Sequence, residues 1–292
     1  MAALDPEQAL ELVLEHTPAP RGVNLSLTTA VGLTLAETAS CGTNGDAIVL
    51  ERGSPVTAAV AGLLAAIGHN EVSVIRPPSV AVVSVTEEPA VGVMLTALAR
   101  EAGVTTTRHF TAEPTLEDLA FLLDHVSQAD LVIVAGEVFS NSRDIAPQAM
   151  VHCGATIVFH GVAQDPGDRM LLATRDQQLL FGLPVEPTGM NICFRRYVDA
   201  AIRKWTARPP TGRFRGRLSG PLEVRSDRTR YVLASCTEGS GSIQVRPLEQ
   251  GLVPSLEADA YVALFPGTYI LADGSEVHGA WLDRALRIGT CS

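Results

Sequence analysis

"DLVIVAGEVFSNSRDIAP", residues 130–147, joins an apolar run to a polar loop and then to the start of a helix. The run from Leu131 to Ala135 is typical of a buried strand that ends at Gly136, and Asp144 stands where a helix N-cap is expected. This order of strand, loop and helix is typical of α/β proteins, in which ligands gather beyond the carboxyl ends of the strands. The stretch therefore predicts the fold class and the position of a candidate site.

Strands and helices alternate on both sides of this stretch. "SVAVVSV" (79–85) is continuously apolar, as strands of a parallel sheet buried on both faces are. Further helices are predicted over 91–102, 115–127 and 188–204, with strands over 104–109 and 155–160 and a hairpin over 170–183. The alternation predicts a doubly wound α/β domain at residues 78–207.

Two smaller parts flank this domain. Residues 1–77 read as an α/β segment that includes a helix capped by Ser54 and closed by Gly68. Beyond the linker "RPPTGR", residues 208–292 contain short alternating strands at regular spacing. That pattern predicts a small C-terminal β-barrel.

The composition limits the classes of partner. The 292 residues are 46% hydrophobic, and no apolar run is long enough to span a membrane. A formal net charge of −10 and 5% aromatic residues argue against nucleic acid or an anionic membrane. Five scattered cysteines without a CxxC motif fit a reducing compartment, and the acidic N-terminus lacks the basic start of a signal peptide. We therefore expect a cytoplasmic protein that acts on a small molecule or on another protein.

Several stretches, in order along nearly the whole chain, resemble the MoeA/gephyrin-E family of molybdopterin molybdotransferases. They include "ALELVLEHTPAPRGVNLSLTTAVGLTLAE", "EDLAFLLDHVSQADLVIVAGEV", "FGLPVEPTGMNICFRRYVDAAIRK" and "GRLSGPL" with "TRYVLASC". The resemblance implies a three-layer α/β/α molybdopterin-binding core related to MogA and MoaB, with a C-terminal small β-barrel. It also implies a homodimer built by the N-terminal α/β segment, and insertion of molybdate into molybdopterin.

The chain departs from the family at its functional motifs. "LAETASCGTNGDAIVLERGS" runs across the point where the family carries an inserted β-rich domain, so that domain is expected to be missing. The family's Ser-Thr-Gly-Asp-Glu loop reads Ser84 to Glu88, with Thr86 in place of glycine. Asp168 replaces the lysine of Pro-Gly-Lys-Pro, and Glu186 replaces the asparagine of Leu-Pro-Gly-Asn-Pro.

The resemblance also assigns candidate roles. Glu88 and Asp144 would be the catalytic acids, and Glu87, Glu88 and Asp144 would hold Mg²⁺, because hard cations prefer oxygen ligands. Molybdopterin would contact Ser84, Thr86, Gly136, Glu137, Ser140, Pro166, Gly167, Asp168, Pro184 and Glu186. A plainer reading of Asp144 is a helix N-cap.

The substitutions work against an anion site. Glycine-rich loops bind phosphates through close backbone N–H groups, and this chain loses glycines at 86, 137 and 185 while gaining acids at 137, 168 and 186. One carboxylate ~5 Å from a phosphate costs ~3 kcal/mol at an effective dielectric of ~20. We expect these acids to line a cleft where the loops meet.

Three hypotheses remain open. In the first, the molybdopterin-type site is altered or degenerate, and the chain acts as a non-catalytic scaffold or partner in molybdenum-cofactor assembly, with a protein partner in molybdoenzyme maturation. In the second, it is an active Mg²⁺-dependent molybdopterin molybdotransferase. In the third, the site is repurposed for a cationic or metal-bound small ligand.

Overall fold

The computed structural model describes residues 3–41, 48–86, 88–136, 145–239 and 242–282. The predicted site residues Glu87, Glu137, Ser140 and Asp144 lie outside this part of the chain. No described helix is long and apolar enough to cross a membrane.

The N-terminal part combines short strands with three helices. Its elements are α1 (Pro6–His16), β1 (Gly22–Ser26), α2 (Leu27–Ala30), β2 (Ala39–Cys41), β3 (Ile48–Leu50), α3 (Ala58–Ala66) and β4 (Glu71–Ile75). Strands β1 and β4 pair antiparallel, as do β2 and β3. The ribbon β2–β3 stands where the sequence comparison expects the family's inserted domain to begin. Thr57, and not the predicted Ser54, caps α3, because its side chain accepts a hydrogen bond from the backbone N–H of Val60.

The central part is a six-stranded sheet between two layers of helices. Its elements are β5 (Val80–Val85), α4 (Pro89–Glu101), β6 (Thr107–Thr111), α5 (Leu116–His125), β7 (Leu131–Gly136), α6 (Ile145–His152), β8 (Thr156–His160), β9 (Gln164–Asp165), β10 (Leu171–Arg175), β11 (Gln178–Leu183), α7 (Pro187–Cys193) and α8 (Asp199–Trp205). A π-helical turn, Phe194–Val198, joins α7 to α8.

The sheet has the order β6-β5-β7-β11-β10-β8. Strands β6, β5, β7 and β11 are parallel, and β10 is antiparallel to them. Strand β8 pairs antiparallel with β10 and so runs in the same direction as the first four. Alternate residues of β5 show why the strand is buried on both faces: Val82 packs with α4, α7 and α8, while Val83 packs with α5 and α6. The predicted three-layer α/β/α core is confirmed. Helix α1 also packs on this core, since Ala9 and Val13 are fully buried with α8.

The C-terminal part forms the predicted small barrel. Its elements are β12 (Arg213–Leu218), β13 (Leu222–Ser226), β14 (Thr229–Gly239), β15 (Ser242–Pro247), α9 (Leu252–Ser255), β16 (Ala260–Leu264), β17 (Gly267–Leu271) and β18 (Glu276–Trp281). The described strands β15, β12, β18, β16 and β14 pair in that order, and β14 pairs back to β15 to close the barrel. Phe214, Leu218 and Val262 fill the interior.

The core and the barrel share a strand pairing. The short strand β9 of the core runs parallel to the start of β14, with Gln164 opposite Thr229 and Asp165 opposite Arg230. The loop that follows β9 contains Pro166 to Asp168, which are candidate site residues. The barrel therefore lies directly against the predicted site.

Candidate functional site

The carboxyl ends of three neighbouring strands define the candidate site. Strands β5, β7 and β11 lie side by side and parallel, so Thr86, Gly136 and Pro184 leave the sheet at one edge. Gly136 is buried at the end of β7. The topology thus brings the predicted loops to the same side of the core.

The end of β5 is held by local hydrogen bonds. The Ser84 hydroxyl lies 2.8 Å from Nε2 of His109 on the neighbouring strand β6, and Ser84 is buried. Thr86 accepts a hydrogen bond from the Glu88 backbone N–H at 3.1 Å. Glu88 precedes α4 with an exposed side chain that makes no capping hydrogen bond. Of these residues, Glu88 alone presents an acidic group to solvent at this edge.

Buried side chains hold the loop after β9 in place. Gly167 has a φ of +90°, and a Cβ atom there would lie 2.2 Å from the Sγ atom of Cys193. The Gln164 side-chain amide donates to the carbonyl of Pro166 at 3.0 Å, and the Tyr197 hydroxyl donates to Gln164 Oε1 at 2.5 Å. Burial raises the pKa of the Cys193 thiol to about 12, so this thiol is a packing group and not a nucleophile.

Asp168, at the end of that loop, pairs with the barrel. Its Oδ2 atom accepts from Nη1 of Arg228 at 2.9 Å. Nearby, Asp165 Oδ2 lies 4.0 Å from Nε of Arg230. Asp168, which replaces the family's lysine, is therefore paired with the Arg228 guanidinium of the barrel.

Glu186 caps helix α7. Its Oε1 atom accepts the backbone N–H of Thr188 at 2.8 Å, and its Oε2 atom accepts that of Gly189 at 2.6 Å. Pro187 occupies the first turn, where its missing N–H costs nothing. Both carboxylate oxygens are thus committed to the amides at the start of the helix.

The structure brings two of the predicted loops into contact. A Cβ atom at Gly189 would lie 3.2 Å from Pro184, 3.3 Å from Pro166 and 3.2 Å from Glu186 Oε2. Asp168 and Glu186, which we expected to face a shared cleft, each have a partner within the protein instead. Among the described residues, no group of three or more histidine, cysteine or acidic side chains is placed to hold a metal ion.

Sequence reasoning missed the residues that join the domains at this site. Arg196, in the π-helical turn, is buried, donates to Glu7 Oε1 at 2.7 Å and lies 4.9 Å from the ring centroid of Tyr231. One turn of chain thus links α1, the core and the barrel. The available signal was weak: a charged pair, Arg195 and Arg196, between the apolar residues Phe194 and Tyr197.

A cavity of about 100 Å³ lies at the other end of the sheet. It is lined by residues at the start of β5, including Ser79, Val80 and Ala81, and by Arg108 and His125. Because it is at the amino end of the strands, it does not belong to the edge where the predicted residues gather.

Comparison with known families and sequences places this site in context. Residues 88–204 match the family described as "Probable molybdopterin binding domain". A molybdopterin molybdenumtransferase of Staphylococcus epidermidis is 31% identical over 172 residues, which cover 54% of this chain and 41% of the relative. The enzyme of Bacillus subtilis is 28% identical over 242 residues, covering 76% of this chain and 56% of the relative. The chain thus spans about two-fifths to just over half the length of these relatives.

Solved structures share the fold. A molybdopterin biosynthesis MoeA protein from Pyrococcus horikoshii superposes with a TM-score of 0.77 at 18% identity, covering 96% of this chain and 99% of that chain. A molybdenum cofactor biosynthesis protein from Pyrococcus furiosus gives 0.77 at 19% identity, covering 96% and 100%. These similarities extend over the N-terminal part, the core and the barrel.

Proposed function

Because the chain belongs to the MoeA family, we propose that it is a MoeA-like protein of molybdenum-cofactor biosynthesis whose molybdopterin-type site is degenerate. In this proposal the chain does not catalyse the complete insertion of molybdate into molybdopterin. It serves as a non-catalytic scaffold or partner in cofactor assembly or delivery. The observation that carries the proposal is the pair of hydrogen bonds from the amides of Thr188 and Gly189 to the Glu186 carboxylate.

Backbone amides at the start of a helix are good anion ligands because they point outward and carry partial positive charge. Here the anion is supplied by the chain itself, through two charge-assisted hydrogen bonds at 2.8 and 2.6 Å. Each such bond contributes about 1.5–3 kcal/mol. A phosphate or molybdate that approached these amides would have to displace a tethered carboxylate and then tolerate its charge.

The second loop supports the same conclusion. An anion near Gly167 would need a cation, and Arg228 is a guanidinium that reaches this loop from the barrel. Asp168 already neutralises it at 2.9 Å, with both side chains partly exposed. The charge that the family's lysine would offer to a ligand is therefore replaced by a closed ion pair.

The alternative function is that of an active Mg²⁺-dependent molybdotransferase. Within the described residues, Glu88 offers a solvent-exposed carboxylate at this edge, and Thr86 adds a hydroxyl that already accepts from the Glu88 amide. Mg²⁺ keeps several water ligands and is usually held by one or two carboxylates together with substrate oxygens, so Glu88 would act with a second carboxylate. This alternative depends on Glu87 and Asp144, which lie outside the described residues. The repurposed site for a cationic ligand meets the same limit, since Asp168 and Glu186 are already paired.

We further propose that the chain is a homodimer and that its ligand, where it binds one, is molybdopterin or a related small molecule. Helix α3 supports the dimer, because its nine residues are all apolar or small while Leu64 is the one that is fully packed. An apolar helix in water is normally covered on more than one side.

Complementation of a molybdotransferase-null strain tests the proposal directly. We expect no rescue by the wild-type chain, and no rescue by a chain in which Glu88 is changed to glutamine. A family enzyme expressed from the same promoter is the positive control. Robust rescue by the wild-type chain, lost on the Glu88→Gln change, would establish the active enzyme instead.

A further inference from the structure

The outer surface of helices α5 and α6 contains an apolar groove with an acidic rim. Leu116, Glu117, Ala120, Phe121, Asp124 and His152 line this α5/α6 groove, which encloses about 320 Å³. The Phe121 side chain is 67% exposed, and Val151 on α6 is 56% exposed. Exposed apolar side chains that lie beside a groove with a polar rim are candidates for an interaction surface.

The charges around Phe121 are arranged along α5. Glu117 precedes Phe121 by four residues and Asp124 follows it by three, so a carboxylate lies one helical turn to either side. Asp124 Oδ1 also lies 3.2 Å from Nη1 of Arg175, whose guanidinium is mostly buried and donates to the carbonyls of Leu123 and Cys153. Asp124 stays 65% exposed in spite of this contact, so it and Glu117 still present carboxylate oxygens to solvent along the rim of the groove.

We propose that the α5/α6 groove is a docking site for a partner protein segment with one bulky apolar side chain flanked by lysine or arginine. The apolar side chain covers Phe121 over the floor of Leu116 and Ala120. The flanking cations lie against Glu117 and Asp124. A second copy of this chain fits the groove poorly, because its formal net charge is −10 and the rim is itself acidic.

This inference stands apart from the state of the candidate site. The groove residues belong to the α5 and α6 layer, whereas Glu186, Gly167 and Asp168 lie on the side that contacts α7 and the barrel. Loss of docking and loss of ligand binding can therefore be measured independently.

The test uses fluorescence anisotropy on the full chain with two labelled peptides. Both carry the same central tryptophan and leucine, and one has lysine flanks where the other has glutamate flanks. We expect the lysine peptide to bind about tenfold more tightly, and its affinity to fall as salt is raised. Phe121→Ser should weaken its binding about tenfold, and Glu117→Lys should remove the preference for lysine flanks.

Val93 provides the matched control. It is 66% exposed on α4, so Val93→Ser removes a similarly exposed apolar side chain elsewhere and should leave both affinities unchanged. The proposal is overturned if neither peptide binds, if the two bind equally, or if Phe121→Ser has no effect. It is also overturned if sedimentation shows self-association of the wild type that Phe121→Ser abolishes, because a second copy would then cover the groove.

Discussion

Glu186 and Gly189 are joined by a hydrogen bond of 2.6 Å, in which the carboxylate oxygen Oε2 accepts the backbone N–H of the helix. The other carboxylate oxygen accepts the N–H of Thr188, so one side chain satisfies two amides that begin α7. A helix start that already holds an internal anion is a poor site for an external one.

Replacing Glu186 by asparagine should restore some affinity for anions. Asparagine is also a good N-cap, so the change removes the negative charge while keeping one capping bond, and stability should change by less than about 1 kcal/mol. We expect AMP to bind about tenfold more tightly to Glu186→Asn than to the wild type, as measured by calorimetry without metal.

Glu71→Gln is the control for this experiment, because it removes an exposed acid from β4 in the N-terminal part. It should leave AMP binding unchanged. If the wild type already binds AMP at micromolar concentration and Glu186→Asn binds it no more tightly, the Glu186 carboxylate does not prevent anion binding at this helix start.

The fold was predictable because its signals are local and strong. "VAVVSV" and "LVIVAG" are apolar apart from Ser84 and are buried at every position, and strands buried on both faces favour that pattern. The cap of α5 at Thr115 also follows from its sequence, since its hydroxyl accepts from the Asp118 backbone N–H. The start of α3 was misjudged because Ser54, Pro55 and Thr57 all carry N-terminal signals, and the choice among them is made by tertiary contacts.

The candidate site was predictable in position but not in charge arrangement. The order of parallel strands places the loops at one edge, and Pro166 and Pro184 do meet there around Gly189. The partners of Asp168 and Glu186 could not be foreseen. Arg228 is sixty residues away along the chain, and the capping role of Glu186 depends on its own rotamer.

Gly92 and His109 should be energetically coupled. A Cβ atom at Gly92 would lie 2.1 Å from Nε2 of His109, the ring atom that contacts the Ser84 hydroxyl. Alanine in a helix is favoured over glycine by about 1 kcal/mol, so Gly92→Ala should stabilise the His109→Ala variant. In the wild-type background the same change must displace the ring and should gain less or destabilise.

Urea unfolding of the four proteins in this cycle measures the coupling. We expect an interaction free energy of about 1–3 kcal/mol between the two positions. Additive effects of the two substitutions would mean that the His109 ring is free to leave α4 without loss.

Cys193 should make the protein less stable in alkali. Burial raises the pKa of its thiol to about 12 from the ordinary value of 9.0, so the unfolded chain loses this proton first. The stability that the neutral thiol contributes is fully present below about pH 9 and declines as pH rises toward 12, by about 1.4 kcal/mol per pH unit at most.

The measurement is the free energy of unfolding of the wild type and of Cys193→Ala at pH 8, 9 and 10. The alanine variant should be less stable at pH 8 because it leaves a cavity, and the difference should shrink as pH rises. If the difference in the free energy of unfolding does not change with pH, the pKa of the Cys193 thiol is no higher in the folded chain than in the unfolded chain.

Gly62 tests the proposed dimer. It lies in α3 on the face away from Leu64, is exposed, and has open space around the position of a Cβ atom. In a monomer, lysine at this position would favour the helix by up to about 1 kcal/mol, because glycine is a poor helix former. In a dimer that buries this face, the same lysine would place a charge against apolar side chains and should separate the subunits. We therefore expect light scattering to report twice the chain mass for the wild type and the chain mass for Gly62→Lys at the same concentration.

Arg100 on α4 is exposed and serves as the control position, where Arg100→Lys should leave the mass unchanged. A wild type that is monomeric, or a Gly62→Lys variant that remains a dimer, would show that α3 does not form the interface.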